Sequence, residues 1–463
     1  MVKLYEAFSN PRQRGVFGEQ TNTLSTMMPV SVTTSKQGRL FFMEKLIIQG
    51  PSVLTGSVSV GGFKNAAVAV LPATIIQAGV YNLENIPDIT DIDCIQAIFN
   101  KKGMEWSNVS SNTIRIDTRS LDTYDFTDDE MSSIRASIYF AGALLSRFGH
   151  AIVALPGGCN FGERPIDLHI KGFEALGATV RQEYGKLFVD APNGLKGASI
   201  YLDTVSVGAT VNIMLAAVKA EGSTTIENAA KEPHIVDLAN FLNNMGAKIR
   251  GAGTDVIKIT GVKELKGHTA YTIVQDMIEA GTFMIAAAAT KGNVFVRNVI
   301  PKHMESLTAK LEEMGVGVEA GDDFVHIFPK DWPLDKAVIK TMPYPGFPTD
   351  LHPQMATLLT QAQGDSTIKE TVWLTRFQYA NELNRMGARI DVNCPVASIH
   401  GGQPLTGAPV SANDLRAGAA LVIAGLCATG TTAVSGVHYI DRGYENLVDK
   451  FRQLGADIER VED

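Results

Sequence analysis

From residue 43 onward the chain switches between two apolar patterns, the spacing of amphipathic helices and the every-other-residue alternation of strands. Six places share one order of events: a helix ends, a glycine follows, and a strand begins. They are Lys101-Lys102-Gly103-Met104, Ala175-Leu176-Gly177-Ala178, Asn244-Met245-Gly246-Ala247, Glu313-Met314-Gly315-Val316, Arg385-Met386-Gly387-Ala388 and Gln453-Leu454-Gly455-Ala456. The glycines recur roughly every 70 residues, and a fixed period marks a repeated unit. Glycine suits the position because it closes a helix in the left-handed conformation. The strands that follow alternate, as in Thr179 to Glu183 and Arg389 to Val392.

The body of each unit is legible too. A helix of small residues comes first, such as 211–219 or 284–290. A glycine turn and a strand follow, such as 223–227 or 293–298. A second helix comes next, such as 235–245 or 306–314. Each unit therefore reads βαβαββ, with parallel strands joined by helices, which is an α/β pattern. One sheet and two helices cannot bury their apolar faces alone, so units must share a core. The Ala- and Gly-rich helices predict close packing inside. Six units divide into two domains of three, 63–271 and 43–62 plus 272–463. The other arrangement, one long solenoid, has an unusual period. Unit one is expected to take 43–62 as its lead strand, and unit four to start near Tyr271. The chain then crosses between halves around Gly61–Lys64 and Gly267–Gln275. A cleft between the halves is the default ligand site.

Residues 1–42 differ. They are rich in Ser, Thr, Gln, Asn and Arg and show no period, which reads as a disordered or atypical extension, or as sequence upstream of the true start. They lack the apolar core of a secretory signal. The full chain is 45% apolar and 19% charged, an ordinary globular composition. No apolar run is long enough to span a membrane. A net charge of −8 argues against broad nucleic-acid binding. The four cysteines, Cys94, Cys159, Cys394 and Cys427, are scattered without metal-type spacing, which suits free thiols and a cytoplasmic, reducing setting.

One loop concentrates chemistry. An apolar run, Ala151 to Leu155, leads into Pro156-Gly157-Gly158-Cys159-Asn160-Phe161-Gly162-Glu163-Arg164, and a helical pattern from Ile166 leads out. A cysteine near a helix start with an arginine close behind is favoured as a thiolate. The same place suits an anionic ligand. A glycine turn with a small buried cysteine fits the residues equally well. Elsewhere Lys64, Arg135, Arg164, Arg376, Arg416 and Arg442 sit beside turns of an acidic protein. Together they suit a substrate bearing phosphates or carboxylates. Asp414 and Asp441, taken singly, read as helix caps, and Arg135 alone as a surface charge. The histidines lack ligand spacing, and there is no P-loop. No metal or cofactor is expected.

At several motifs the sequence resembles the UDP-N-acetylglucosamine 1-carboxyvinyltransferase family. The motifs are Phe63-Lys64-Asn65-Ala66-Ala67, Pro156-Gly157-Gly158-Cys159, Arg164-Pro165-Ile166-Asp167-Leu168-His169, Val205-Ser206-Val207-Gly208, Glu279-Ala280-Gly281-Thr282, Pro348-Thr349-Asp350, Asp414-Leu415-Arg416 and Asp441-Arg442-Gly443-Tyr444. The resemblance implies an inside-out α/β barrel of two domains, each of three βαβαββ repeats. It implies two small-molecule substrates, phosphoenolpyruvate and UDP-N-acetylglucosamine. The enolpyruvyl group passes to the sugar's 3'-hydroxyl and phosphate leaves, in the service of peptidoglycan precursor synthesis. It also implies roles. Cys159 is the general acid and can carry a pyruvate adduct, and Asp350 accepts the hydroxyl proton. Lys64, Asn65, Arg164, Arg416 and Arg442 hold phosphoenolpyruvate, Lys64 and Arg442 taking part in catalysis. Asn65, Arg135, Arg164, Pro165, Ile166, Asp167, Leu168, Ser206, Val207, Asp350 and Val372 face the UDP-sugar.

Two positions depart from the family pattern. Thr204 stands where a lysine is usual, and Met277, after Asp276, where an arginine is usual. Losing a charge-assisted bond at the nucleotide phosphates weakens binding by about 1–3 kcal/mol. These departures leave room for a transferase with another nucleotide acceptor, or for a non-catalytic UDP-sugar binder.

Overall fold

The computed structural model describes residues 44–155 and 165–462. Unit three is the plainest example of the repeat. Its strand Ser199–Tyr201 runs parallel to Ser223–Glu227, with the helix Val207–Ala217 between them. The helix Pro233–Asn244 then leads to the hairpin Lys248–Arg250 and Val256–Thr260, which adds antiparallel. Parallel neighbours require such a crossover, whereas the hairpin needs only a short turn. Val207–Ala217 is buried continuously from Ala209 to Ala217. Pro233–Asn244 is amphipathic and buries Ile235, Leu238, Phe241 and Leu242. A helix apolar all round lies inside, while one with a single apolar face covers a surface.

The described residues form six four-stranded sheets, each with one parallel and two antiparallel pairings. All six period glycines, Gly103, Gly177, Gly246, Gly315, Gly387 and Gly455, have positive φ between 78° and 99°. The helix-ending role read from the pattern is therefore what the backbone does. The small-residue helices are interior, as expected: every residue of Met277–Ala289 is buried. Tyr139–Phe148 packs on Val207–Ala217, and His352–Thr360 packs on Leu415–Cys427. Helices inside and sheets outside make the inside-out α/β barrel arrangement. The interior helices begin earlier than their apolar patterns suggested, because polar side chains cap them. Ser206 caps Val207–Ala217 and Asp276 caps Met277–Ala289.

The lead strands correct one expectation. Residues 43–62 do not complete unit one. Its parallel strand is His268–Thr272, paired with Val80–Glu84. Thr55–Ser59 instead completes unit four beside Asn293–Arg297, and Glu44–Gly50 inserts between Gly430–Ser435 and Asp457–Glu462. A parallel edge strand only has to lie beside its neighbour, so alternation within 55–59 could not say which sheet it joins. The two segments expected to cross between halves run side by side. Gly62 bridges Gln275, and Phe63 N–H donates to the Val274 carbonyl at 2.8 Å. Only glycine fits there, since a Cβ on Gly62 would lie 1.7 Å from the Asn85 carbonyl oxygen.

Candidate active site

The crossing delivers Lys64 to the start of the helix Lys64–Ala73, where its backbone N–H donates to Asp276 Oδ2 at 3.3 Å. Its ammonium lies 2.8 Å from Asp91 Oδ2, while Arg442 Nε donates to Asp91 Oδ1 at 2.8 Å. Asp91 is 6% exposed. Burial lowers the pKa of Lys64, with Asp91 opposing and Arg416 and Arg442 adding to the fall. Burial alone would raise Asp91, but Lys64 and Arg442 hold it below the usual carboxylate range. One carboxylate therefore joins two cations that lie 378 positions apart in sequence, counting from 64 to 442. Sequence reasoning missed Asp91, because an aspartate in a first helical turn reads as ordinary dipole compensation.

Asp350 sits in the short turn Thr349–Leu351 ahead of the helix His352–Thr360. Arg376 Nη1 donates to its Oδ1 at 2.8 Å, and Arg416 Nη2 approaches Oδ2 at 3.2 Å. Burial would push this carboxyl up, but Arg416 and Arg376 overcome it and hold the group far below its ordinary value. Asp350 is thus an anion throughout the physiological range. Arg416 is 2% exposed, stands 5.3 Å from the Tyr444 ring centroid, and has one buried guanidinium nitrogen, Nη1, without a hydrogen-bond partner among the described residues. Its charge acts on Lys64, Asp276 and Asp350, so the two ion clusters share one electrostatic environment. The cations Lys64, Arg416 and Arg442 can hold anions, and Asp350 can accept a proton beside them.

Other expected residues fall into place unevenly. Asn65 is half-buried, one residue along from Lys64. Ser206 uses its hydroxyl to cap its helix, accepting from Ala209 N–H at 3.3 Å, and Val207 is that helix's first residue. Pro165, Ile166, Asp167 and Leu168 run into the helix Asp167–Ala175, with only Leu168 buried. Arg135 opens the 3-10 turn Arg135–Ile138. Val372 is 38% exposed. Cys159 and Arg164 lie outside the described residues.

Several motif residues turn out to be architectural. Asp414 caps the helix Leu415–Cys427 through the N–H groups of Arg416 and Ala417, the capping role considered for it. Asp441 pairs with Arg460, at 2.8 Å. His169 is buried against the Asn212 amide, at 2.8 Å, and Asn212 in turn holds Gly142 N–H and the Ile138 carbonyl. Glu279 accepts from Gly61 N–H and pairs with Lys450, which pins the first crossing. Thr204 is exposed, whereas Met277 is 6% exposed. A cavity of about 340 Å³ lined by Lys231, Asp237, His303 and Tyr344 contains none of the ionic residues described above. Among the described residues no cluster of His, Cys, Asp and Glu could hold a metal, and no helix is long and apolar enough to cross a membrane.

Comparison with known proteins adds to this geometry. The model of the EPSP synthase (3-phosphoshikimate 1-carboxyvinyltransferase) family matches residues 48–451. A UDP-N-acetylglucosamine 1-carboxyvinyltransferase of Clostridium botulinum is 55% identical over 420 residues, covering 90% of this chain and 100% of the relative. One from Bacillus subtilis is 51% identical over 420 residues, covering 90% and 97%. Among solved structures, the enolpyruvyl transferase NikO from Streptomyces tendae aligns with a TM-score of 0.82 at 27% identity, over 91% of this chain and all of that one. An EPSP synthase of Acinetobacter baumannii shares the fold, with a TM-score of 0.70 at 19% identity over 91% of this chain and all of that one.

Proposed function

We infer that this chain, which belongs to the EPSP synthase (3-phosphoshikimate 1-carboxyvinyltransferase) family, is a UDP-N-acetylglucosamine 1-carboxyvinyltransferase. It transfers the enolpyruvyl group of phosphoenolpyruvate to the 3'-hydroxyl of the sugar nucleotide and releases phosphate. The observation that carries this reading is 55% identity over 420 residues with a relative of that name, matched along its whole length. An acceptor other than UDP-N-acetylglucosamine and a purely binding role are not favoured by identity of this extent. The reaction serves peptidoglycan precursor synthesis, and we place it in the cytoplasm.

In this reading the halves 63–271 and 43–62 plus 272–463 flank the reaction. Lys64, Asn65, Arg164, Arg416 and Arg442 hold the phosphate and carboxylate of phosphoenolpyruvate. The sugar nucleotide meets Asn65, Arg135, Arg164 to Leu168, Ser206, Val207, Asp350 and Val372. Cys159 gives a proton to the methylene carbon as the 3'-hydroxyl oxygen bonds to the neighbouring carbon, and Asp350 takes the hydroxyl proton. The tetrahedral adduct then returns a proton from the new methyl group to the Cys159 thiolate and breaks its bond to the phosphate oxygen. This restores the double bond and frees phosphate. Clustered cations stabilise the charge on both anionic groups without reorganising during the reaction. Asp350 is a weak base because Arg376 and Arg416 clamp it. It acts as a proton acceptor only when the hydroxyl becomes acidic during attack.

The test is phosphate release with both substrates present. Release that needs both phosphoenolpyruvate and UDP-N-acetylglucosamine is expected. Release with shikimate 3-phosphate in place of the nucleotide, or no release at all, would overturn the reading.

A further inference from the structure

Behind Asp350 lies a second carboxylate that the chemistry above does not use. Glu370 is fully buried, just past the strand Asp365–Lys369. Its Oε1 accepts from the Thr341 hydroxyl at 2.7 Å, Val372 N–H at 2.7 Å and Trp373 N–H at 3.0 Å. Its Oε2 accepts from the Thr349 hydroxyl at 2.8 Å and faces His352 Nδ1 at 3.0 Å. His352 is also fully buried, and its Nε2 lies 2.7 Å from the Tyr379 hydroxyl. Burial favours a neutral His352, and a neutral ring satisfies both contacts: Nδ1–H donates to Glu370 and Nε2 accepts from Tyr379. Burial would raise the Glu370 pKa, but His352, the Trp373 N–H and the Thr341 hydroxyl bring it down to about 2.

The placement of these partners matters more than their number. Thr349 and His352 bracket Asp350 in sequence, and both are held by Glu370 Oε2. Val372 and Trp373 precede Arg376, and their N–H groups are held by Oε1. Arg376 closes the loop by donating to the Thr349 carbonyl at 3.1 Å and to Asp350 at 2.8 Å. One buried carboxylate thus fixes the turn that carries the proton acceptor and the turn that presents Val372.

We propose that Glu370 is a positioning residue for the acceptor side of the reaction, setting Asp350 and the Val372 backbone relative to each other and bearing on the phosphoenolpyruvate side only through Arg416. The proposal rests on the reading of this chain as a UDP-N-acetylglucosamine transferase. Lys64 and Arg442 are fixed by Asp91, not by this network. An error in the Glu370 network therefore falls first on the acceptor side and reaches phosphoenolpyruvate only through the contact of Arg416 with Asp350.

Glu370→Gln keeps the shape but puts an amide NH2 among donors, so one side of the network must let go. Expected are a fall in kcat and a rise in KM for UDP-N-acetylglucosamine, each about tenfold or more, the scale of one lost charge-assisted hydrogen bond. The KM for phosphoenolpyruvate should stay within about twofold. Leu311→Ala, in a buried position far along the sequence in the helix Glu305–Glu313, is the control for plain destabilisation, which lowers the folded fraction and leaves both KM values alone. Should Glu370→Gln fail to fold, Thr349→Val removes the tie to the Asp350 turn with little change in shape. It should show the same one-sided pattern, several-fold in size. Wild-type turnover with unchanged acceptor KM in both variants, or an equal rise in both KM values, would overturn the proposal alone. Absence of wild-type turnover would overturn the functional reading and this proposal with it.

Discussion

Replacing Asp91 by Asn isolates what one buried carboxylate does for two cations. Asp91 meets Lys64 Nζ and Arg442 Nε at 2.8 Å each, on a side chain 8% exposed. A hydrogen bond to a charged group contributes about 1.5–3 kcal/mol. One pKa unit corresponds to about 1.36 kcal/mol. Burial already lowers the pKa of Lys64, Asp91 opposes that fall, and Arg416 and Arg442 reinforce it. Without the Asp91 charge, Lys64 should lose its proton at a lower pH. A cation is needed to hold phosphoenolpyruvate, so activity is present below the Lys64 pKa and lost above it. The alkaline limb of kcat/KM for phosphoenolpyruvate should accordingly move to lower pH. The assay is phosphate release at saturating UDP-N-acetylglucosamine across the pH range. The deficit should shrink as pH falls and the ammonium is restored. A limb that stays in place, or a deficit uniform across pH, would refute the reasoning.

Asp350→Asn should keep the fold, since the amide oxygen can still accept from Arg376, yet lose about 10²–10⁴ in kcat; unaltered turnover in a folded variant would remove Asp350 from the proton path. Cys159→Ser should lose most turnover and resist labelling by a thiol-directed epoxide such as fosfomycin, followed by intact-protein mass, and unchanged labelling would contradict the assignment. Thr204→Lys adds a cation at an exposed position without burying it, and should lower KM for UDP-N-acetylglucosamine by about tenfold; an unchanged KM would show that this position does not reach the nucleotide.

The repeat was legible because its signal is backbone geometry. Six glycines at positive φ end six helices, and no other residue does that cheaply. The interior helices were legible because their apolar residues leave no polar face. Their starts were not, because Ser206 and Asp276 act as side-chain caps that leave no period. Edge-strand exchange was also hidden, since Thr55–Ser59 buries a single residue, Val58, and would alternate alike in either sheet. At the site, motif reading singled out Lys64, Asp350, Arg416 and Arg442, which the fold brings into ion clusters. It missed the groups behind them, Asp91 and Glu370, which touch these residues only after folding. It read Asp414, taken singly, as a cap, which it is, and gave no role to Glu279, which holds the Gly61 N–H.

The exchanged strands have a consequence for synthesis on the ribosome. Ser57 pairs with Phe295, and Lys45 pairs with both Ser435 and Val461. The segment 44–59 is thus made early, but Thr55–Ser59 waits for residues 293–297 and Glu44–Gly50 for the last stretch of the chain. Residues 63–272, by contrast, contain every strand of their own three sheets. That part can complete its hydrogen-bonded ladders during translation, while the opening strands wait with unpaired edges, the state in which a nascent chain most needs protection from aggregation.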